Sequence, residues 1–168
     1  MKAQLTQRRK LEGSFTNYLM GNNSSLPEVG KGATLLSYTD RDPYEVLEVS
    51  EDGRKCVIRA MRAVAKPNSG GMGHQDWDIN SDESATKEQL VYRNGAWRKE
   101  RVIITYIKSW YDSFENPKDR WEEEKRLGLW DEDLNRLKLV DGYTRIVKSY
   151  DKVNILFGYA EKHYDWEF

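Results

Sequence analysis

The chain has 168 residues, of which 38% are apolar and 33% charged, and its formal net charge is −1. That balance argues against a protein that simply coats nucleic acid, because phosphate contacts require an excess of lysine and arginine. The single cysteine, Cys56, excludes a disulfide within the chain, and no Cys/His cluster has the spacing of a zinc site.

Residues 1–28 are predicted to form a short N-terminal helix and a linker. Apolar side chains between Leu5 and Leu19 recur at a partly helical spacing, and a Gly-Asn-Asn-Ser-Ser run at 21–25 ends the pattern. The alternative is a basic arm, in which the three basic residues at 8–10 reach a phosphate backbone.

Residues 29–108 carry the pattern of an antiparallel β meander. Stretches rich in Val, Ile, Leu and Tyr alternate with polar turns rich in Asp, Gly and Pro. Asn94 and Gly95 form the strongest hairpin signal of the chain. The predicted strands are 33–38, 44–49, 55–64, 87–93 and 97–107.

The third predicted strand places Cys56 beside Ile58 and Ala60 on its apolar face. The only histidines, His74 and His163, are distant in sequence, so no base that would activate the thiol is evident. Cys56 is therefore predicted to be a buried, small apolar side chain rather than a nucleophile.

Residues 67–86 are rich in glycine and acidic residues and contain no lysine or arginine. The glycines lack the Gly-Lys-Ser/Thr ending of a phosphate-binding loop. The favoured interpretation is a solvated loop that Trp77 holds to the core. In the alternative, His74, Asp76 and Asp78 lie on one side of an extended segment and bind a hard cation, although the spacing is not that of an EF-hand.

Residues 109–141 are predicted to be a helical insertion. Asn116 and Pro117 have the residue types of an N-cap and a first helical residue. The helix is predicted over 117–127, because Gly128 is suited to the left-handed conformation that follows a helix.

A second short helix is predicted from Asp131, because apolar residues between 130 and 137 recur at spacings of 4 and 3. On the first helix, Glu122 and Arg126 are spaced for an i,i+4 ion pair. Trp121 and Trp130 have two interpretations. They are favoured as anchors that fix the helices to the sheet, and the alternative is a binding hot spot.

Residues 142–168 are predicted to supply closing strands. The segments 152–159 and 160–168 carry aliphatic or aromatic residues at alternate positions, which is typical of half-buried strands. The whole chain, 1–168, is predicted to be a single domain of mainly β (α+β) class. We expect a small, SH3-like, strongly curled antiparallel sheet or barrel with an N-terminal helix and an inserted pair of short helices.

Five motifs occur in order along the chain: LMGNNSSLPEVGKGAT, YTDRDPYEVLEVSEDG, GGMGHQDW, YRNGAW and VNILFGYAEKHYDWEF. Together they resemble small all-β proteins of unknown function from phages, prophages and bacterial mobile elements. The likeness leaves out 109–141, which is why the helical pair looks like an insertion. The family supplies no catalytic residues, so the resemblance implies a mobile-element context rather than a mechanism.

No Ser/His/Asp, Cys/His, metal-ligand or phosphate-loop pattern is evident, so we expect no enzymatic activity, no cofactor and no metal. The favoured hypothesis is a non-catalytic protein that binds and inhibits a host macromolecule, for example a defence nuclease, in an anti-CRISPR-like manner. Its acidic residues would imitate phosphates in a basic groove. The candidate partner-binding residues are Asp76, Asp78, Asp82, Glu83, Trp121, Glu122, Glu123, Arg126 and Trp130.

The alternative is a nucleic-acid-binding SH3-like module, because basic residues cluster on two predicted strands. These residues are Arg54, Lys55, Arg59, Arg62, Arg98, Lys99 and Arg101. No segment approaches the ~20 apolar residues that span a bilayer. We therefore expect no membrane contact and a location in the cytoplasm of a bacterial host cell, with a host protein or protein–nucleic acid complex as partner.

Overall fold

The computed structural model describes residues 25–67, 69 and 74–165. The predicted N-terminal helix, the basic cluster at 8–10, the glycines within 70–73 and the end of the predicted closing strand at 166–168 lie outside the described residues. Within the described residues 49% lie in strands and 11% in helices, so the predicted mainly β fold is confirmed.

Short strands account for most of the regular structure. The strands are β1 (Gly32–Leu36), β2 (Arg41–Val49), β3 (Lys55–Ala65), β4 (Trp77–Ser81), β5 (Lys87–Arg93), β6 (Ala96–Tyr106), β7 (Trp130–Asp131), β8 (Arg136–Leu137), β9 (Thr144–Lys152) and β10 (Asn154–Gly158). The helices are α1 (Lys108–Tyr111) and α2 (Pro117–Leu127). Neither of these described helices is long and apolar enough to cross a membrane.

The described chain divides into two compact units. The first contains the described residues up to Glu100 together with those from Tyr150 onward. The second contains Arg101–Ser149. The chain passes from the first unit to the second within β6 and returns within β9.

The main sheet is antiparallel and strongly curled, with the strand order β10-β1-β2-β3-β5-β6-β9. Its meander β1-β2-β3 follows the order predicted from the turn residues. A register shift between Val46 and Glu48 marks a bulge, which increases the local twist of a strand pair. The hairpin β5-β6 turns at Asn94 and Gly95, whose φ angles of 52° and 76° are those a tight hairpin turn requires.

The predicted solvated loop at 67–86 is wrong in its second half. Trp77–Ser81 forms β4, which pairs with the C-terminal half of β3 from Met61 to Ala65. The half-buried Trp77 and Ile79 alternate with exposed neighbours along this strand. The alternation of half-buried and exposed residues is that of a β-strand, although the composition of the segment is polar.

A single segment, 150–158, joins the two ends of the sheet in the first unit. β10 pairs with β1, which places Ala33 opposite Phe157. The N–H of Val153 donates to the carbonyl of Trp97 on β6, at 3.0 Å. The same segment thus contacts the first strand and β6, and the predicted strand at 152–159 is present as β10.

The core of the first unit lies inside this curled sheet. Trp97 makes edge-to-face contacts with Tyr92 and Phe157, at centroid distances of 5.5 and 5.2 Å. Cys56 is 2% exposed within the same cluster, as predicted for an apolar side chain. The remaining buried members are Ala33, Val46, Ile58, Leu90 and Ile155.

The predicted strand at 160–168 is wrong over its described part. Gly158 has a φ of 111°, and the residues beyond it bond to the side chain of Thr34 on β1. The Thr34 hydroxyl donates to the Tyr159 carbonyl at 3.0 Å and accepts the N–H of Glu161 at 3.1 Å. Only His163 forms a bridge, with Arg41 of β2. These bonds to one threonine hold the segment across the strands, so it does not extend the sheet.

The predicted second helix from Asp131 is also wrong. β7 and β8 form a two-stranded hairpin, in which Trp130 pairs with Leu137. The Asp131 carboxylate accepts the N–H of Leu134 at 3.2 Å, and Asn135 has a positive φ of 47°. These turn contacts satisfy the backbone locally, so the apolar spacing does not produce a helix.

The C-terminal segment passes very close to the backbone of Gly32 on β1. A Cβ at Gly32 would lie 2.4 Å from the backbone nitrogen of Ala160. We expect Gly32→Ala to lower the free energy of unfolding by about 1–3 kcal/mol, because backbone must move to relieve the clash. Chemical denaturation measures the loss, and hydrogen exchange at the N–H of Glu161 and His163 locates it.

Gly53→Ala is the matched control. Gly53 has a φ of 70°, and a Cβ added there would meet no atom within 4 Å, so only the backbone strain changes. We expect a cost of about 1–2 kcal/mol with unchanged exchange at Glu161 and His163. If the amides of Glu161 and His163 exchanged equally fast in the Gly32 and Gly53 variants, the close approach of Ala160 to Gly32 would not limit which residue fits at position 32.

Burial raises the pKa of the Cys56 thiol to about 12. The thiol of an unfolded chain ionises near pH 8.5. Ionisation therefore favours the unfolded chain, and stability should fall as the pH rises from about 9 to 12. Cys56→Ala should flatten this part of a stability–pH curve measured by urea unfolding. If the stability of the Cys56→Ala variant fell equally steeply between pH 9 and 12, the loss would not come from the Cys56 thiol.

Candidate functional site

An aromatic cluster forms the interior of the second unit. The Trp110 ring contacts Tyr106, Phe114 and Tyr143, at centroid distances of 5.5, 5.1 and 5.8 Å. Among the described residues of this unit, Leu129 is the only apolar side chain that is fully buried. The second unit is therefore held by ring contacts, each of which adds about 0.5–1.5 kcal/mol to the gain from burial.

Helix α2 has the ends that the sequence predicts. The Asn116 side chain accepts the N–H of Lys118 at 2.9 Å, and Pro117 is the first helical residue. Gly128 ends the helix with a φ of 62°. The predicted bounds of 117–127 are confirmed, because both ends depend on local capping chemistry.

Arg120 attaches α2 to the aromatic cluster. Its guanidinium lies 4.2 Å from the centre of the Tyr111 ring, which itself contacts Tyr106 of the cluster at 5.5 Å, and it donates to Glu124 at 3.1 Å. Burial, followed by the neighbouring Glu124 carboxylate, raises the pKa of Tyr106 to about 12. The Tyr106 phenol therefore stays protonated well above neutral pH, as a hydrogen-bond donor toward Glu124.

A cleft of about 600 Å³ lies beside this attachment, and we name it the aromatic cleft. Trp121 and Trp130 both line it, with 53% and 44% of their surfaces exposed. Neither ring is the buried anchor that the favoured interpretation required. The complete lining is Tyr106, Trp121, Glu124, Lys125, Trp130, Glu132 and Asn135.

A second cleft of about 550 Å³ adjoins the first within the same unit. It shares Glu124, Lys125, Trp130 and Glu132 with the aromatic cleft. Its additional acidic side chains are Asp131 and Asp133, which with Glu132 we name the acidic turn.

The charged residues predicted on α2 do not line the aromatic cleft. Arg126 donates to Glu123 at 2.7 Å, and this i,i+3 pair replaces the predicted pair with Glu122. The contact with Arg126 lowers the pKa of the Glu123 carboxyl. Glu122 is exposed. Ion pairs on an exposed helix surface contribute little to stability, because water and salt screen them.

The predicted acidic residues of 67–86 belong to the first unit. Lys66 contacts both Asp76 and Asp78, at 3.0 and 3.7 Å. The Asp82 carboxylate caps a turn by accepting the N–H of Ser84 at 3.0 Å, while Glu83 is exposed. The three aspartates thus have structural contacts of their own, and all four carboxylates lie in a different unit from Trp121 and Trp130.

The alternative cation site at His74, Asp76 and Asp78 has no support in the geometry. Among the residues that the structure describes, no three His, Cys, Asp or Glu side chains are grouped to hold a metal ion. The Lys66 ammonium occupies the position between the two aspartates instead.

Several cations of the nucleic-acid hypothesis have partners within the first unit. Arg59 pairs with Glu45 at 2.8 Å, and Lys99 pairs with Glu88 at 2.7 Å. The Arg98 guanidinium donates to the carbonyl of Tyr150 at 3.3 Å. These contacts tie neighbouring strands together, and a phosphate would have to compete with them.

Sequence reasoning identified two residues of the aromatic cleft and missed the others. Glu124 and Lys125 follow Trp121 by three and four positions, and that spacing on a helix was a usable signal. Tyr106 and Glu132 come from β6 and from the turn between β7 and β8. Only the folded second unit brings them to the cleft.

No protein-family model, no curated protein and no solved structure matches this chain.

Arg120 should be more important for α2 than any other cation on the helix. We expect Arg120→Ala to destabilise the second unit by about 1–2 kcal/mol, since it removes a half-buried cation–π contact and an ion pair. Hydrogen exchange of the α2 amides measures the change. Lys118→Ala is the control, because Lys118 is exposed on the same helix. Equal exchange in the two variants would refute the attachment role.

Proposed function

We propose that the protein is a non-catalytic binding protein that holds another protein through the aromatic cleft. The observation that supports the proposal is the presence of two half-exposed indole rings, Trp121 and Trp130, in one cleft of the second unit. Tryptophan is among the residues that dominate binding energy at interfaces when a partner excludes water from them.

The exposed indole surface is large enough to matter energetically. The exposed parts of Trp121 and Trp130 together approach the area of one whole side chain. Burying roughly 250 Å² of ring surface gives about 6 kcal/mol at ~25 cal/mol per Å². Association entropy offsets part of this gain, so the indoles favour a partner without fixing its affinity.

The second unit also carries most of the exposed large apolar side chains of the described residues. Besides the two tryptophans, these side chains are Val102, Ile103, Tyr111, Leu134, Leu139 and Ile146.

The proposed biological role is inhibition of a host macromolecule by a mobile-element protein, with a defence nuclease as the example. The resemblance to phage proteins supports the context, and the acidic turn beside the aromatic cleft supports a basic partner surface. The proposal needs no catalytic residue. Cys56, the one thiol, is buried and has a raised pKa.

Partner capture from bacterial lysate tests the proposal. We expect the full chain to retain a protein at moderate salt, and the double variant Trp121→Ala/Trp130→Ala to lose at least tenfold of the recovered amount, because the two indoles carry the contact. Quantitative mass spectrometry of the eluates gives the ratio.

Tyr38→Ala is the matched control, because Tyr38 is an aromatic residue of the first unit with 67% of its surface exposed. It should retain the partner fully. Recovery that is equal for all three proteins would refute the role of the cleft. Recovery of nucleic acid that is lost at high salt would support the nucleic-acid-binding alternative instead.

A further inference from the structure

We propose that the aromatic cleft binds an arginine side chain presented by an extended segment of the partner protein. This inference rests on the proposed function and names the chemistry of its partner. Three rings, Tyr106, Trp121 and Trp130, line the cleft together with the carboxylates of Glu124 and Glu132. Aromatic faces attract cations, and nearby carboxylates strengthen that preference.

The face of Trp121 already holds a cation. The Nζ of Lys125 lies 3.6 Å from the centre of this ring, although Lys125 is exposed. A flexible, exposed ammonium gains little at such a contact. Lys125 therefore occupies the ring in the free protein and is easily displaced by a cation that makes more contacts.

The charge around the cleft favours a cationic ligand. Glu124 is paired with Arg120, but among the described residues no ion pair joins Glu132 or Asp133 to a cation. Both side chains are exposed at the adjoining cleft. An arriving cation would gain these carboxylates in addition to the rings.

Arginine fits this site better than lysine. Its guanidinium is planar, stacks on aromatic faces and donates to a carboxylate through two nitrogens at once, and it is less strongly hydrated than an ammonium. A volume of about 600 Å³ exceeds one guanidinium. The cleft therefore has room for the arginine and the residues on either side of it.

Two capped nonapeptides of glycine and serine test the inference, one with two central arginines and one with citrulline in their place. Citrulline keeps the shape and removes the charge. We expect the arginine peptide to shift the indole N–H resonances of Trp121 and Trp130 of the full chain, and to bind at least fivefold more tightly than the citrulline peptide.

Lys125→Gln separates this inference from a general acidic attraction. If Lys125 competes for the Trp121 face, its removal should tighten arginine-peptide binding about twofold to fivefold. Glu132→Gln should weaken binding by a similar factor, and Trp121→Ala should abolish the shift at Trp130. Lys118→Gln, which removes the same charge outside the cleft, controls for net charge and should have a smaller effect than Lys125→Gln.

Equal binding of the two peptides, or equal effects of the Lys125 and Lys118 variants, would overturn the inference. These results are independent of partner capture. If capture depends on Trp121 and Trp130 while the arginine peptide does not bind, the proposed function stands and the arginine inference fails. If the peptide binds as expected while capture does not depend on the tryptophans, the proposed function fails.

Discussion

The closure of the sheet by the segment 150–158 is the interaction on which the first unit depends. β10 supplies Phe157 to the core through its pairing with β1, and the N–H of Val153 donates to the carbonyl of Trp97 on β6, the strand next to the other end of the sheet. Burial of Trp97 and Phe157 contributes about 4–6 kcal/mol each. Both rings reach the same core only because this segment contacts β1 and β6 together. Gly158, in a left-handed conformation, ends β10, and the next residue, Tyr159, accepts a hydrogen bond from the Thr34 hydroxyl on β1.

The second unit is held together by different contacts from those of the first. Its 49 residues, Arg101–Ser149, bury few aliphatic side chains, so rings and charges hold α2 in place. Trp110 contacts three other aromatic rings, and Arg120 links the helix to Tyr111 and Glu124. A unit with so little aliphatic interior leaves much of its apolar surface outside. The exposed indoles are therefore a consequence of the same composition that limits the core.

The sequence predicted those parts of the fold that depend on local chemistry. The hairpin at Asn94 and Gly95 and the bounds of α2 were predicted because the required backbone angles and caps belong to single residues. The hairpin after Trp130 was missed, because apolar spacings over eight residues fit a helix as well as two short strands. The same limit applies to the site. Trp121 and Trp130 were named as candidates, but their juxtaposition depends on a turn that the pattern did not predict.

Two cations on α2 make cation–π contacts, and their different exposure gives these contacts different roles. Arg120 and Lys125 each lie over an aromatic ring, at 4.2 Å from Tyr111 and 3.6 Å from Trp121. The Arg120 side chain is only 25% exposed and has a carboxylate partner, so losing the contact would leave a partly desolvated charge behind. Lys125 is exposed, and water replaces its ring contact at little cost. The first contact therefore holds the helix, whereas the second can be exchanged for a ligand without loss of structure.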